Sequence, residues 1–529
     1  MLACAFSNVG ADNLAQAIQN TGLKVLRIGK ASATAEALWN CTLDAAIERD
    51  PDAKKALQEA ARATAQLAKP SGRSAKNTPG MMNGDSIRDA ATRAVKLAQE
   101  ATLIAATKAL RETDVIVSTS TGAADLKLLA ACGMIPNDDD VNAGKASTTE
   151  DRGSNIATRT FAPDGGPPLS LPFVLIDEAC QSVEPATLVP VMASNSCRSL
   201  VLLGDPCQLP PTVLGDPGSR LSVSLMERLA EILPSSRHSS KDVDLEASSD
   251  DEFLTSLPAK QATSLLRSFA GYESASYRRR YSGSLLLSVQ YRMHPSIAAF
   301  SSAIFYDGLL KTPRLMSSHR QFPTVLREMM PCGDRRLCFR FIDVGGRANE
   351  RRGTPTRISD SEFNGVSSSL VDQTSYWNEL EADRTLQLLK DVVRAQDKHV
   401  SSIGIISPYS GQVQLVQSMI ESDIELQDLL KQEHAPSIEI NSVDGYQGRE
   451  RDLIIFSAVR SNRENRIGFL RDWRRLNVAL TRAKSGLVIV GDLSTLSGSD
   501  PYWAALGKWA KGHRAVVDDY DSPEDEPSV

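Results

Sequence analysis

The sequence predicts an α/β protein made of two blocks of alternating strands and helices. Short aliphatic runs such as Phe173–Ile176 and Leu200–Leu203 end in polar or acidic residues, as buried strands of a parallel sheet do. Leu2–Ala5, Ala11–Asn20 and Lys24–Ile28 alternate as strand, helix and strand, which is the rhythm of a βαβ unit. A length of 529 residues fits two or three domains of ordinary size.

The first block is predicted to cover residues 1–233 and to contain two insertions. Residues 31–112 are rich in alanine with charges at helical spacing, and turn formers cluster at 70–80, so a long antiparallel helical hairpin is expected. Two interpretations of this hairpin stay open, a solvated stalk and a surface for protein regulators. Residues 136–170 are polar and rich in Gly, Asp and Thr, which predicts an irregular insertion. Asp114–Ser120 is predicted to return to a strand.

The second block is predicted to cover residues 283–512. Its clearest strands are Ile403–Ile406, Leu453–Ala458 and Leu487–Val490. Residues 234–282, between the blocks, are rich in Ser, Asp and Arg with few large apolar side chains, which predicts a disordered linker. Residues 513–529 form an acidic tail that is predicted to be disordered after Val517.

Composition narrows the class of protein. Hydrophobic residues make up 41% and charged residues 23%, and no apolar run approaches the roughly 18 residues of a membrane span. The eight cysteines are scattered without a Cys-x-x-Cys pair, so neither a zinc site nor a disulfide framework is indicated and a reducing, intracellular compartment is expected, nuclear or cytoplasmic. A net charge of −6 argues against a wholly basic nucleic-acid coat and leaves room for a local basic groove.

Two adjacent carboxylates, Asp177 and Glu178, follow the first aliphatic run. A buried strand that ends in such a pair is typical of nucleotide hydrolysis, where the first carboxylate holds hydrated Mg²⁺ and the second takes a proton from water. A capping pair in a loop is the structural alternative. The second run ends in Gly204-Asp205, with Gln208 three residues later. This favours catalysis, because a glutamine amide can bond both a γ-phosphate and the attacking water.

An arginine beside an aromatic residue marks the run Gln290–Pro295. Tyr291 and Arg292 are either an ordinary surface cation–π pair or, in a nucleotide cleft, a base-stacking ring and a guanidinium that reaches the γ-phosphate. His294 in the same run is expected to be a structural hydrogen-bonding residue, because no catalytic partner lies near it in sequence.

Two further runs carry glycines and arginines. Ser442–Asp452 contains two glycines that let the backbone approach a ligand closely. Arg474–Lys484 is predicted to be helical, in which case Arg475, Ala479 and Arg482 share one face and the two guanidiniums project in one direction.

Taken together, these runs resemble the motifs of the superfamily 1 helicases of the up-frameshift and senataxin group, and the resemblance covers nearly the whole chain. In order, the segments similar to motifs Ia, II, III, IV, V and VI are Cys4–Asp12, Asp177–Gln181, Gly204–Pro211, Gln290–Pro295, Asn441–Asp452 and Arg474–Lys484. The resemblance implies two RecA-like P-loop NTPase domains, with ATP between them and a single strand of RNA or DNA across their top. It also implies that the hairpin is a stalk-like insertion and that movement along the strand runs 5′→3′.

The resemblance also implies roles for individual residues. Asp177 would hold Mg²⁺, Glu178 would activate water, Gln208 would sense the γ-phosphate, and Arg292 and Arg482 would act as arginine fingers. The remaining ATP contacts would come from Asp205, Tyr291 (base), Gly448 and Glu450 (ribose). Contacts to the nucleic-acid strand would come from Ser7, Asn8, Thr119, Pro408, Tyr409 and Ser442. Contacts that go mainly to phosphate and sugar give sequence-tolerant binding.

One element of the family pattern is missing, the Gly-rich phosphate loop called Walker A, which in the family lies just before motif Ia. Gly22–Ala31 has six residues between its glycines and alanine in place of the hydroxyl residue, and Gly144-Lys145-Ala146 lacks the upstream glycine. We therefore expect the first domain to be N-terminally truncated, the sequence to be a fragment of a complete helicase, and the chain as given to be inactive. The alternative is a non-catalytic nucleic-acid-binding or regulatory protein derived from such a helicase.

Overall fold

The computed structural model describes residues 1–29, 34–67, 84–134, 161–213, 220–232, 256–268, 284–328, 336–345, 349–355 and 374–518. The chain divides into two compact units. Unit 1 consists of Met1–Pro206 and Pro210–Arg228, and unit 2 consists of Cys207–Leu209 and Leu229–Val529. Each unit contains a parallel sheet with helices, which confirms the predicted α/β class.

Unit 1 is organised around five parallel strands. They are β1 (Leu2–Ala5), β2 (Val25–Arg27), β3 (Val115–Thr119), β4 (Phe173–Asp177) and β5 (Ser199–Leu202), in the spatial order β2-β3-β1-β4-β5. Its helices are α1 (Asn8–Gln19), α2 (Leu43–Arg49), α3 (Pro51–Leu67), α4 (Gly84–Arg111), α5 (Leu126–Ala131) and α6 (Glu184–Ala193). The next helix, α7 (Leu225–Ile232), begins in unit 1, and its residues from Leu229 onward belong to unit 2.

Strand β1 lies at the centre of this sheet and is buried on both faces. Leu2 and Cys4 belong to one apolar cluster, whereas Ala3 and Ala5 belong to another. Because successive side chains of a strand point to opposite faces, these two clusters are the two layers that cover the sheet.

The predicted helical hairpin is present in unit 1. Helices α3 and α4 pack against each other, and small buried residues such as Ala60, Ala91 and Ala98 lie on these two helices. The predicted turn between them falls outside the described residues. Of the predicted irregular insertion, only 161–170 is described, and there Arg111 pairs with Asp164 at 2.6 Å.

The outer strand β5 is exposed to an unusual degree for an aliphatic strand. Leu200 and Val201 are 37% and 47% exposed, and Leu203 just after the strand is 37% exposed. Leu200 and Val201 point to opposite faces, so neither face of this strand is fully covered by the described residues. The strand pairs with β4 along one edge and lies at the end of the strand order.

Unit 2 is organised around six parallel strands. They are β6 (Phe339–Asp343), β9 (Ser402–Ser407), β10 (Ser437–Ser442), β11 (Arg451–Ser457), β12 (Ala483–Gly491) and β13 (Val516–Asp518), in the order β10-β9-β11-β12-β6-β13. A separate antiparallel pair joins β7 (Glu350–Arg352) to β8 (Tyr376–Asn378).

The helices of unit 2 surround one large apolar core. They are α8 (Leu257–Ser268), α9 (Pro295–Phe305), α10 (Arg314–His319), α11 (Thr324–Glu328), α12 (Glu379–Arg394), α13 (Ser410–Ser422), α14 (Ile424–Leu430), α15 (Trp473–Leu480), α16 (Leu493–Ser499) and α17 (Pro501–Gly512). None of the helices in the described residues is long and apolar enough to cross a membrane.

Two predictions of disorder are wrong in part. Within the predicted linker, α8 packs on α17 and buries Ala259, Ala262 and Leu266, a helical stripe hidden in a polar composition. Within the predicted tail, β13 pairs with β6 as an edge strand. The rest of the linker, apart from Ser256, and residues 519–529 lie outside the described residues.

Candidate functional site

The carboxyl ends of the strands of unit 1 bring several candidate residues to one edge of the sheet. In the parallel register, Ala5 of β1 lies opposite both Thr119 of β3 and Asp177 of β4. Because β5 pairs with β4 in register, with Leu202 opposite Ile176, Gly204 and Asp205 follow at this same edge. The active sites of open α/β sheets are found at this edge.

The Asp177–Glu178 pair has a constrained backbone. Glu178 has φ 54° and ψ 37°, in the left-handed region, which costs about 1–2 kcal/mol for a residue with a Cβ. The backbone N–H of Glu178 donates to Oδ1 of Asp177 at 2.9 Å, and the Nε2 of Gln181 donates to the Glu178 carboxylate at 2.6 Å. These bonds fix both carboxyl groups at the strand end.

Burial raises the pKa of Asp177, and the hydrogen bond from the Glu178 N–H opposes this effect in part. A partly desolvated carboxylate gains from a divalent cation. Mg²⁺ in phosphate-handling sites takes one or two carboxylates and keeps several waters, so Asp177 fits a magnesium ligand. No cluster of three or more His, Cys, Asp or Glu side chains suited to a metal is found in the described residues.

The close approach of β5 to this turn requires a glycine. A Cβ on Gly204 would lie 3.0 Å from the backbone nitrogen of Cys180 and 3.2 Å from that of Ala179. The N–H of Ala179 donates to the carbonyl of Leu203 at 2.8 Å. The glycine thus lets the segments resembling motifs II and III lie side by side.

The three strand-contact candidates of unit 1 all make local hydrogen bonds. Ser7 caps α1 by accepting from the N–H of Gly10 at 3.0 Å, and Thr119 Oγ1 accepts from the N–H of Gly122 at 3.0 Å. The side-chain oxygen of Asn8 accepts from the buried Arg27 guanidinium at 3.3 Å.

In unit 2, Gln290 organises the turn that resembles motif IV. Its Oε1 accepts from the N–H groups of Arg292 and Met293 at 3.0 and 2.8 Å, and its Nε2 donates to the carbonyl of Met293 at 2.9 Å. The ring of Tyr291 is left 65% exposed. His294 accepts from the N–H of Ser296 at the start of α9, as a structural residue does, and burial lowers its pKa to about 4.

Arg292, Glu450 and Lys484 form an ion triad. The guanidinium of Arg292 donates to Glu450 at 2.5 Å, and the Lys484 ammonium lies 3.0 Å from the other carboxylate oxygen. Burial alone would raise the pKa of Glu450, but the hydrogen bond and charge of Arg292, with those of Lys484, hold it below its ordinary value. The carboxylate therefore stays ionised and holds both cations in place.

Arg482 is buried, and it donates three hydrogen bonds to neutral acceptors. Its Nη2 donates to Gln208 Oε1 at 3.1 Å and to Thr481 Oγ1 at 3.0 Å, and its Nε donates to the carbonyl of Val478 at 3.0 Å. Gln208 belongs to the short segment Cys207–Leu209 that packs with unit 2. The two residues assigned to the γ-phosphate by resemblance thus share a hydrogen bond.

The prediction that Arg475 and Arg482 share one face of a helix is wrong. Helix α15 ends at Leu480, and Arg482 follows it. Arg475 pairs with Asp444 and Asp472, whereas Arg482 is buried against Gln208. The helix ends early because Thr481 turns its hydroxyl and N–H back onto the carbonyls of the last turn.

The segment resembling motif V is a glycine turn braced by a buried tyrosine. Gly448 has φ +75°, which a residue with a Cβ rarely adopts. Tyr446 is fully buried and fills the space left by Gly404 of β9. Ser442 Oγ accepts from the N–H of Gly445 at 3.1 Å, so this candidate contact lies at the start of the turn.

Pro408 and Tyr409 are both predicted strand contacts, and of the two the tyrosine is buried. Only 3% of Tyr409 is exposed, and its hydroxyl donates to the carbonyl of Ile467 at 3.2 Å. Arg460 contacts the same hydroxyl. Pro408 is partly exposed, so a ligand has access to the proline and little access to the tyrosine.

Several residues that support the candidate site through hydrogen bonds and packing were not assigned a role from the sequence. Gln290, Tyr446 and Lys484 were within recognised motifs without an assigned role. Glu381 is fully buried and accepts from the Ser457 hydroxyl and the Val459 N–H, both at 2.7 Å. In the sequence Glu381 lies among other charged residues, in the run Glu379–Arg384, so nothing local distinguished it.

Comparison with known proteins gives the class of this chain. Two family models match, each described as an AAA domain, over residues 168–216 and 267–494. These ranges contain the paired carboxylates of unit 1 and the glycine turn, triad and buried arginine of unit 2. The α/β fold and the two matches define a protein with AAA domains.

Similar proteins identify the group. The chain is 28% identical over 526 residues to the "Regulator of nonsense transcripts 1 homolog" of Arabidopsis thaliana, covering 98% of this chain and 31% of that protein. It is 33% identical over 350 residues to the Drosophila melanogaster protein of the same name, an alignment that covers 65% of this chain and 23% of that protein. It is 30% identical over 378 residues to "Probable helicase senataxin" of Mus musculus, which covers 70% of this chain and 11% of that protein. The chain therefore belongs to the superfamily 1 helicases of the up-frameshift and senataxin group, and it spans less than a third of each of these three relatives.

Proposed function

We propose that these residues work as the motor core of an ATP-dependent translocase on single-stranded RNA or DNA. The observation that carries the proposal is the set of fixed side chains suited to phosphoryl transfer in each unit. Asp177 and Glu178 supply adjacent carboxylates at a strand end, and Arg292 and Arg482 supply oriented guanidiniums.

Each of these side chains has a defined part in the proposed reaction. Asp177 would hold Mg²⁺, which neutralises the charge that develops on the phosphate oxygens. Glu178 takes the proton of the attacking water, and Gln208 orients that water against the γ-phosphate. Arg292 and Arg482 stabilise the charge of the transition state, an effect of roughly 10³–10⁵ in rate for arginine fingers.

The remaining proposed contacts bind the two ligands. Tyr291 offers an exposed ring for the base, Glu450 a carboxylate for the ribose, and Gly448 a close backbone approach, while Asp205 is a further proposed contact to ATP. Ser7, Asn8, Thr119, Pro408, Tyr409 and Ser442 are proposed for the strand, with Tyr409 acting from beneath the surface. We further propose that movement runs 5′→3′, that the hairpin of α3 and α4 receives protein regulators, and that the protein works in the nucleus or cytoplasm.

The alternative function is non-catalytic strand binding, with a regulatory role. It is favoured by one observation, that the 529 residues contain no Gly-x-x-x-x-Gly-Lys-Ser/Thr run, the loop that cradles the phosphates in P-loop enzymes. We therefore propose that the 529-residue chain binds a single strand. We propose that its catalytic residues hydrolyse ATP only together with a phosphate loop.

Two measurements separate the two functions. Fluorescence anisotropy with labelled oligouridylate and oligothymidylate tests strand binding by the chain, which should weaken as salt rises. ATP hydrolysis is then measured on the protein purified from its natural source, with and without the single strand. Strand-stimulated hydrolysis that is lost in Glu178→Gln supports the translocase, whereas strand binding without hydrolysis or a response to ATP supports the alternative.

A further inference from the structure

Three aromatic side chains of unit 2 lie in a row with an arginine over the ring at each end, and only one of these five residues belongs to the predicted strand contacts. The Tyr376 and Tyr409 ring centroids are 5.5 Å apart, and those of Tyr409 and Phe469 are 5.9 Å apart. Arg352 lies over Tyr376 at 6.0 Å and Arg475 over Phe469 at 5.6 Å. We call these five residues the arginine–aromatic row.

The ring of Phe469 is exposed to solvent, and the backbone next to it is constrained. Its ring is 62% exposed, although its neighbours Ile467 and Leu470 are buried. Gly468 has φ +58°, and a Cβ there would lie 2.5 Å from Arg460 and 2.8 Å from the Tyr409 hydroxyl. The ring is therefore held outward by packing beneath it, and an aromatic face kept in water is available to stack on a ligand.

Arg352 is fixed at the other end of the row. It lies directly opposite Tyr376 in the antiparallel pair of β7 and β8. Two residues earlier, Glu350 anchors β7 by accepting from Arg460 at 2.8 and 3.0 Å and from the Ser461 N–H at 2.9 Å. Arg352 itself is exposed, and within the described part of the chain no carboxylate is paired with it.

The row adjoins the strand contacts already proposed. Ser407 at the end of β9 pairs with Ser442 at the end of β10, and Pro408 and Tyr409 follow Ser407 directly. The aromatic row therefore starts at the same edge of the sheet as Ser442. The exposed ring of Phe469 can stack on a base, and the exposed guanidinium of Arg352 can pair with a phosphate of the same strand.

We propose that Phe469 is a base-stacking platform and Arg352 a phosphate contact for single-stranded nucleic acid, with Tyr409 as the buried support of the platform. This inference rests on the proposed strand binding. Stacking on an aromatic side chain is worth about 1–3 kcal/mol per base, which corresponds to roughly 5- to 150-fold in affinity.

The test uses the full chain with labelled oligouridylate and oligothymidylate of about 12 nucleotides, within the range of known single-strand sites, and an abasic strand of the same length. Phe469→Ala should weaken binding to both base-containing strands by roughly 5- to 150-fold, and Phe469→Trp should retain it. Arg352→Ala should lower the slope of log affinity against log salt by about 1. Ile424→Ala, at a residue that is 80% exposed in the same unit, is the matched control and should bind as wild type.

The abasic strand separates stacking from a structural effect. Phe469→Ala should bind it as well as wild type does, because the lost contact is to a base. The proposal would be overturned if Phe469→Ala weakened binding to abasic and base-containing strands equally. It would also be overturned if Phe469→Ala bound the base-containing strands with wild-type affinity. Displacement of the bound strand by polyglutamate at equal charge concentration would overturn it as well. If the wild-type chain binds neither strand, the proposed strand binding itself has failed.

Discussion

The guanidinium of Arg482 and the side-chain amide of Gln208 share a hydrogen bond of 3.1 Å in unit 2. Arg482 is only 2% exposed, and a buried guanidinium is tolerated only when its N–H groups are paired. The Gln208 oxygen, the Val478 carbonyl and the Thr481 hydroxyl supply this pairing. All three of these acceptors are neutral, so none of these three bonds neutralises the positive charge of Arg482.

Replacing Gln208 by Glu should therefore separate stability from activity. The carboxylate keeps the hydrogen bond and adds an opposite charge, so we expect the urea midpoint of the chain to stay the same or rise. In the protein from its natural source, the same substitution should lower hydrolysis by about 10²-fold or more, because it changes the proposed water-orienting residue and neutralises the proposed arginine finger Arg482. Gln208→Ala should instead lower stability by about 1–3 kcal/mol, because a buried donor loses its partner.

Gln417→Glu is the control for the added charge, since Gln417 is exposed on α13 and should leave both properties unchanged. Full hydrolysis by Gln208→Glu would show that the Arg482–Gln208 bond has no part in the reaction.

The buried carboxyl of Glu381 should make stability depend on pH. Burial raises its pKa to about 8, against the opposing hydrogen bonds from Val459 and Ser457. Between about pH 5 and 8 the folded chain keeps this proton and the unfolded chain does not, so this group's contribution to stability falls as pH rises through that window. Glu381→Gln cannot titrate, so its urea midpoint minus that of wild type should increase from pH 5 toward pH 8.

A constant offset between the two proteins is expected as well, because the glutamine NH₂ would face the Asn378 amide that now donates to Glu381 at 3.3 Å. The pH dependence of the difference is therefore the informative quantity. Parallel stability profiles for wild type and Glu381→Gln would mean that Glu381 does not carry the proton.

The exposed edge strand β5 should make the chain prone to self-association. An aliphatic edge strand with uncovered side chains is a template for pairing with another chain. Val201→Lys places a charge on this strand, and we expect less light scattering at high protein concentration and weaker binding of a hydrophobic dye. Val95→Lys on α4 is matched in exposure, 39% against 47%, but lies on a helix without a free edge. Equal improvement by both variants would point to net charge rather than to the strand edge.

The sequence predicted best those features whose residues follow one another directly along the chain. Asp177 and Glu178 directly follow an aliphatic strand, so both the strand and its carboxylates could be predicted from one run of residues. The position of Arg482 could not be predicted from helical spacing, because a single capping residue, Thr481, ends α15 before it. The burial of Tyr409 depends on Arg460 and Ile467, which are distant in sequence.

Helix α8 was missed for a related reason. Its buried stripe consists of two alanines and a leucine, Ala259, Ala262 and Leu266, which raise local hydropathy too little to stand out from a polar segment. Its partner α17 lies more than two hundred residues along the chain, and only the folded structure brings the two together.

The fit between Gly404 and Tyr446 supports the glycine turn of the segment resembling motif V. A methyl group on Gly404 would lie 2.6 Å from Ile454 Cδ1 and 2.8 Å from Tyr446 Cζ, well inside van der Waals contact. Gly404→Ala should therefore lower the free energy of unfolding by about 1–3 kcal/mol, the usual cost of overpacking a core.

The turn should also shift in Gly404→Ala, because Tyr446 lies within it, and the proposed strand contact of Ser442 should weaken as the turn moves. Combining Gly404→Ala with Tyr446→Leu removes the ring that the methyl group would meet. The double variant should be more stable than the sum of the two single changes predicts, with a coupling of about 0.5–3 kcal/mol. Strict additivity in urea unfolding would mean that the ring and the glycine do not constrain each other, and the turn would then need another explanation for its position.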